Sequence, residues 1–116
     1  MVPEVAHILP QLIEACRRHG VSRMWLFGSA TGRGDRPFTA GSDIDLLVEF
    51  GAVPPEERGL DHPLITLPEK LEAIAGRPVQ LTENAEFRNP YFAESVEATR
   101  ELIYDAADEK AAVGHP

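Results

Sequence analysis

The sequence of 116 residues contains one cysteine, Cys16, and no long apolar run. A single cysteine cannot form an intramolecular disulfide, and it offers no thiolate cluster for a zinc site. No apolar run approaches the roughly 18 residues of a membrane span, and the N-terminus lacks the basic and apolar regions of a signal peptide. We therefore expect a soluble protein in a reducing, cytoplasmic setting, with no membrane partner.

Basic residues are also scarce. The chain has 11 Lys and Arg against 19 Asp and Glu, which gives a formal net charge of −8, and its basic residues form no long run. Because duplex nucleic acid is bound through a basic surface that neutralises phosphates, we expect no direct binding to a duplex. A basic protein partner fits this charge better.

Hydrophobic periodicity predicts alternating helices and strands. Apolar residues at helical spacing predict an amphipathic helix over residues 3–19, kinked or restarted at Pro10. Short apolar segments next to glycine or loop residues predict strands over residues 22–27, 44–50 and 78–82. The predicted fold is therefore α/β, with a small mixed sheet flanked by helices.

The second helix follows a predicted surface loop over residues 51–62. Thr66 and Glu69 have the spacing of a capping box, which predicts that the helix begins close to them. Gly76 predicts its end near Ala75.

The C-terminal part of the chain is less regular. Asn89 is a good cap for a helix over residues 90–99. Residues 101–105 either continue that helix or form an edge strand, and we predict the strand. Residues 1–106 then form one domain, and residues 107–116 a disordered tail.

Asp43 and Asp45 open the apolar run of the second predicted strand. Alternate residues of a strand project from one face, so the two carboxylates would lie about 6 to 7 Å apart along the chain. Magnesium prefers oxygen ligands and is often held by one or two carboxylates together with substrate phosphates. The pair therefore predicts a magnesium site that a phosphorylated ligand completes.

Gly28 and Ser29 form a predicted turn after the strand that ends at Phe27. Backbone N–H groups and the Ser29 hydroxyl in such a turn can point at an anion, particularly where a short helix begins. Together with the two aspartates, this turn predicts a site for a nucleoside triphosphate and its metal.

Each motif alone has an ordinary structural explanation. An acidic pair at a strand end is more often an exposed edge or a turn cap, and Gly-Ser turns are common. Trp25 is expected in the core, and the histidines, which lack metal-ligand spacing, are expected to be solvated. The joint pattern of two strands, a Gly-Ser turn and an Asp-x-Asp triplet favours the nucleotide site.

Three segments carry a resemblance to a known family: "LFGSATG", "SDIDLLVEF" and "GRPVQLTENAEFRNPYFAESVEATRELIYDA". They resemble the minimal nucleotidyltransferases (MNT) of the DNA polymerase beta superfamily over residues 5–106. The resemblance implies the polymerase beta-like nucleotidyltransferase fold, with Mg²⁺ as cofactor and ATP as substrate. It also implies that Gly28 and Ser29 cradle the β and γ phosphates and that Asp43 and Asp45 hold the metal.

The resemblance also implies a partner. Many single-domain members are similar to antitoxins encoded beside a HEPN-domain toxin that acts as a ribonuclease. Some of them transfer AMP to a tyrosine of that toxin. A HEPN-domain toxin is therefore the expected partner, in a possible hetero-oligomer.

One position departs from the family. The family places a third acidic residue in the strand where this chain has Gln80, and a neutral amide coordinates metal weakly and cannot act as a base. Glu83 has the opposite strand parity to Gln80 and would face away. Glu49 shares a face with Asp45 but would lie about 13 Å along the strand, too far for one cluster.

Two hypotheses follow from this departure. The protein is either an AMP-transferring antitoxin with lowered or rescued activity, or a binding module that keeps the nucleotide pocket and neutralises its toxin by contact. The enzyme is slightly favoured, because a purely structural role would not need the glycine, serine and aspartates of the site. A small-molecule transferase of the aminoglycoside-modifying kind is less favoured, since those carry an additional helical domain.

Overall fold

The structure is a computed structural model that describes residues 1–33, 37–51, 59, 62–84 and 90–108. Along these residues the elements follow in the order α1 (Pro3–Arg18), β1 (Val21–Phe27), β2 (Ile44–Phe50), α2 (Pro63–Ala75), β3 (Val79–Glu83), α3 (Pro90–Thr99) and β4 (Glu101–Asp105), with a short 3₁₀ helix over Gly28–Thr31. The predicted α/β fold with a small mixed sheet is confirmed.

The four strands form one sheet in the order β3-β2-β1-β4. Strand β1 runs antiparallel to both β2 and β4, whereas β2 and β3 are parallel. Phe27 at the end of β1 pairs with Asp45 near the start of β2, and Asp45 pairs with Gln80 of β3. Because paired residues on adjacent strands project to the same face, these three positions form a row across the sheet.

One face of the sheet packs against α1 and α2. Alternation places every second residue of β1 and β2 on this face, where the side chains are almost fully buried. Burying one such leucine contributes about 1.5 to 3 kcal/mol relative to leaving it exposed. The contributing residues include Val5, Leu12 and Cys16 of α1, Met24 and Leu26 of β1, Leu46 and Val48 of β2, and Leu67 and Leu71 of α2.

The other face carries a smaller apolar cluster. Trp25, Phe27 and Leu47 of the sheet pack with Val96 of α3, and Trp25 lies in the core as predicted. Asp45 lies on this same face, because it shares strand parity with Leu47. Helix α3 therefore packs beside β1 and β2, the strands next to Gly28 and Asp45.

The start of α2 corrects the predicted capping box. The helix begins at Pro63, and the N-cap is His62, whose Nδ1 accepts a hydrogen bond of 3.0 Å from the Leu64 N–H. His62 is buried and packs edge-on against the Phe50 ring, so the expectation of a solvated side chain was wrong for this residue. A proline at the first helical position needs no N–H partner, which suits this start better than Thr66 does.

The prolines and the C-terminal strand give two further outcomes. Helix α1 is one element through Pro10, so the chain does not restart there. Strand β4 pairs with β1 at the edge of the sheet, which confirms the predicted edge strand over residues 101–105. The proposed cap Asn89 and residues 109–116 of the predicted tail lie outside the described residues.

Among the helices that the structure describes, none is both long enough and apolar enough to cross a bilayer.

Candidate functional site

The turn after β1 is built around the close approach of Gly28 to Asp45. Gly28 has a φ of +73°, a left-handed conformation that glycine adopts without steric cost. A Cβ atom placed on Gly28 would lie 2.7 Å from Oδ2 of Asp45. The Asp45 carboxylate therefore lies directly against the Gly28 Cα, and both the backbone conformation and the contact require glycine.

Two buried threonines hold the Gly28 turn. The Gly28 N–H donates a hydrogen bond of 2.9 Å to Oγ1 of Thr99, at the end of α3. The Thr31 hydroxyl donates to the Gly28 carbonyl at 2.7 Å. The Gly28 N–H is hydrogen-bonded to Thr99. What Gly28 contributes to the site in this structure is therefore the space that its missing side chain leaves for the Asp45 carboxylate.

The two aspartates occupy different positions relative to the strand. Asp45 is the second residue of β2 and is partly buried, whereas Asp43 precedes the strand. Burial raises the pKa of the Asp45 carboxyl, and repulsion from the Asp43 carboxylate raises that pKa further. A cation held by both carboxylates would relieve this repulsion and favour the ionised form of Asp45.

Gln80 lies beside Asp45, where the third acidic residue was expected. The two residues are Cα partners on the parallel strands β2 and β3, and the Gln80 side chain is exposed. Strand pairing therefore places Gln80 next to Asp45 in the sheet. Within the described part of the chain, no group of three or more His, Cys, Asp or Glu residues could hold a metal ion.

The two carboxylates considered as substitutes lie elsewhere. Glu83 pairs with Val48 rather than with Asp45. Oε2 of Glu49 accepts a hydrogen bond of 2.7 Å from the Asn84 side-chain amide. Neither glutamate is a strand partner of Asp45, so neither of these two residues takes the place of the third carboxylate beside it in the sheet.

The donor set suits one hard cation. Asp43 and Asp45 supply carboxylate oxygens, and magnesium is commonly held by one or two carboxylates with waters and substrate phosphates. Ser29 follows Gly28 in the 3₁₀ helix and is partly buried at the same end of the sheet. The phosphate-binding roles of Gly28 and Ser29 and the metal-binding roles of the aspartates stay predictions.

Sequence reasoning missed Thr31 and Thr99. Thr31 lies three residues after Gly28, so local spacing offered a weak signal for a side chain that closes the turn. Thr99 is 71 residues from Gly28 in sequence and reaches it only through the packing of α3. No local pattern identifies such a contact.

A strand, a Gly-Ser turn, an antiparallel strand opened by Asp-x-Asp and a parallel third strand together define a nucleotidyltransferase fold. The family model described as "Nucleotidyltransferase domain" matches residues 9–103. The chain belongs to this family. No curated protein sequence matches it.

Solved structures of minimal nucleotidyltransferases share the fold, which confirms the resemblance. One is described as a minimal nucleotidyltransferase; it has 28% identity and a TM-score of 0.59, with 84% of this chain and 90% of that chain covered. A toxin-antitoxin structure with AMP-PNP has 19% identity and a TM-score of 0.57, with 90% and 78% covered. One chain of the structure of a tri-AMPylated Shewanella oneidensis HEPN toxin in complex with MNT antitoxin has 15% identity and a TM-score of 0.56. The match covers 92% of this chain and 77% of that chain.

We expect Gly28→Ala to lower the free energy of unfolding more than Gly20→Ala does. Both glycines have positive φ, +73° and +70°, so each alanine carries a backbone cost of about 1 kcal/mol or more. A Cβ at Gly20 meets nothing within 4 Å, whereas one at Gly28 meets the Asp45 carboxylate. This overpacking adds about 1 to 3 kcal/mol, measurable by urea unfolding. Equal losses would contradict the close contact.

We expect Asp45→Asn to stabilise the metal-free protein at pH 7. Because burial and Asp43 raise the folded-state pKa of Asp45, the folded chain binds a proton more tightly than the unfolded chain. Its stability therefore falls as pH rises from the ordinary Asp range, near pH 4, through the raised pKa. The asparagine variant avoids this loss, so its advantage in melting temperature should be present at pH 7 and shrink below about pH 4.

The matched control is Asp108→Asn, because the Asp108 side chain is exposed. Thermal unfolding of all three proteins in EDTA at both pH values provides the comparison. An advantage of Asp45→Asn that does not change with pH would show that ionisation of Asp45 is not its cause.

Proposed function

We propose that this protein is a nucleotidyltransferase that binds Mg-ATP and transfers AMP to a HEPN-domain toxin, which it thereby neutralises as an antitoxin. The observation that carries the proposal is the contact of the Asp45 carboxylate with the Gly28 Cα. This contact brings the Gly-Ser turn and the Asp-x-Asp triplet together. The solved toxin-antitoxin structures with AMP-PNP and with a tri-AMPylated HEPN toxin support the choice of nucleotide and partner.

Nucleotide binding would use both elements of the site. Asp43 and Asp45 would hold Mg²⁺, and Ser29 would donate its hydroxyl to an oxygen of the β or γ phosphate. When bound, the ion supplies positive charge that offsets the charge of the triphosphate. Gly28 leaves the Asp45 carboxylate in place, and Thr31 and Thr99 hold the turn that carries Ser29.

The reaction would be an in-line transfer of a nucleotidyl group. A hydroxyl of the partner attacks the α phosphorus, a new O–P bond forms, and the bond to the β-phosphate oxygen breaks to release pyrophosphate. The amide of Gln80 cannot accept the hydroxyl proton, which would leave to water or to a basic group of the partner. Positioning of the nucleotide thus supplies most of the expected catalysis, and the transfer should be slow.

The acidic character of the chain is consistent with a protein acceptor. A formal net charge of −8 favours association with a basic surface and disfavours a duplex partner. A cytoplasmic location accompanies this proposal, since ATP and the acceptor must meet the site in one compartment.

The second candidate function is neutralisation by binding alone. It is favoured by one observation, the exposed amide of Gln80 beside Asp45 in place of a carboxylate. In this case the nucleotide site would support folding or assembly of the complex, and no AMP would be transferred.

Gln80→Asp separates these functions. The variant places a carboxylate beside Asp45, so we expect it to raise AMP transfer by about tenfold or more. A well-placed general base contributes about 10²- to 10⁴-fold, and the expected gain lies at or below the lower end of that range. The matched control is Gln80→Asn, which has the same side-chain length but no charge. The assay incubates each protein with Mg²⁺, ATP labelled at the α phosphate and its HEPN-domain partner toxin, and measures label on that toxin.

Asp43→Asn tests whether the site is needed at all. If the protein is a transferase, this variant should neither label the HEPN protein nor abolish its ribonuclease activity. If the parent neutralises the toxin without labelling it, and Asp43→Asn neutralises it equally well, binding alone is the function.

A further inference from the structure

The main chain at Asp43 is held from outside the sheet ladder, because β2 begins only at Ile44. The Ile44 N–H donates to the carbonyl of Pro78 at 3.1 Å. Nη1 of Arg77 donates to the carbonyl of Ser42 at 3.2 Å. The peptide groups on both sides of Asp43 are therefore fixed by the segment that joins α2 to β3.

Arg77 also holds the turn that precedes Asp43. Within this turn the Ser42 N–H donates to the Thr39 carbonyl at 3.0 Å, and the Thr39 N–H donates to the Ser42 hydroxyl at 2.9 Å. Nη1 of Arg77 donates to the same Thr39 carbonyl at 3.1 Å. One guanidinium nitrogen thus contacts both ends of the turn, and the second end leads directly into Asp43.

The orientation of this guanidinium is set by an aromatic ring. The Arg77 Cζ atom lies 4.5 Å from the centroid of the Phe38 ring, within the range of a cation–π contact. Phe38 in turn packs against the main hydrophobic core. The planar group is therefore stacked on an anchored ring while it donates to two carbonyls, an arrangement that a lysine ammonium does not reproduce.

We propose that Arg77 is a positioning residue for the metal-nucleotide site, which acts by holding Asp43 in reach of the ion shared with Asp45. This inference rests on the proposed binding of Mg-ATP. Asp45 is positioned by the strand and by Gly28, whereas Asp43 depends on the contacts of Arg77 and Pro78. Loss of Arg77 should therefore weaken metal-dependent binding through Asp43 and leave Asp45 in place.

The test compares Arg77→Met with Arg23→Met. Arg23 is an exposed arginine of β1 whose Nε lies 3.7 Å from Oδ2 of Asp105. Among the described residues, its ion pairs are with carboxylates outside the Asp43 turn. We expect Arg77→Met to weaken Mg-ATP affinity about tenfold or more, the effect typical of residues that orient metal ligands. The affinity of Arg23→Met for Mg-ATP, measured by calorimetry, should lie within about twofold of that of the parent. Removing an arginine that makes only exposed ion pairs typically changes the free energy little.

A double-mutant cycle with Asp43→Asn shows whether Arg77 acts through Asp43. In the Asp43→Asn background, Arg77→Met should have little further effect on Mg-ATP affinity, because the group that it positions is already altered. Urea unfolding in EDTA provides the stability readout, which shows whether each arginine variant is folded under the conditions of the affinity measurement. Should Arg77→Met fail to fold, Arg77→Lys replaces it and is expected to show an intermediate loss of affinity.

Parent-like Mg-ATP affinity of a folded Arg77 variant would overturn the inference, as would additive losses in the cycle. Failure of the parent itself to bind Mg-ATP would instead overturn the proposed function, and the positioning role with it.

Discussion

The contact between the Asp45 carboxylate and the Gly28 Cα is the constraint on which the rest of the site depends. Antiparallel pairing of Phe27 with Asp45 brings the end of β1 to the start of β2, and the missing Cβ lets the carboxylate lie against the turn. Ser29 then follows at the same end of the sheet. Any larger residue at Gly28 must displace the carboxylate, the turn, or both, so the predicted phosphate and metal groups depend on a single glycine.

Polar contacts from distant elements keep this arrangement fixed. Thr99 joins α3 to the Gly28 N–H, and Arg77 joins the segment before β3 to the carbonyls around Asp43. The partly buried Asp45 is costly in its charged form without a cation, which the raised pKa of this carboxyl reflects. The proposed Mg²⁺ would reduce this cost, whereas Gln80 leaves one neighbouring position uncharged.

Local sequence patterns predicted most strands and helices of the fold, and they singled out Gly28 and Asp45 as candidate site residues. Alternation and apolar runs identified β1, β2 and β3, because strand parity and burial are expressed within a few residues. The N-cap at His62 could not be predicted, since it depends on packing against Phe50. The hydrogen bond from the Gly28 N–H to Thr99 could not be predicted either, since it depends on how α3 packs on the sheet. Strand parity did exclude Glu83, and its pairing with Val48 agrees.

Paramagnetic Mn²⁺ locates a bound metal-nucleotide on the protein most directly. In amide spectra of the protein with ATP, substoichiometric Mn²⁺ should broaden first the signals of Ser29, Asp43, Asp45 and Gln80. Signals of Glu14 and Lys70, which line a groove between α1 and α2 on the opposite face of the sheet, should persist. Unchanged spectra, or broadening that begins at that groove, would contradict a metal-nucleotide site between Gly28 and the two aspartates.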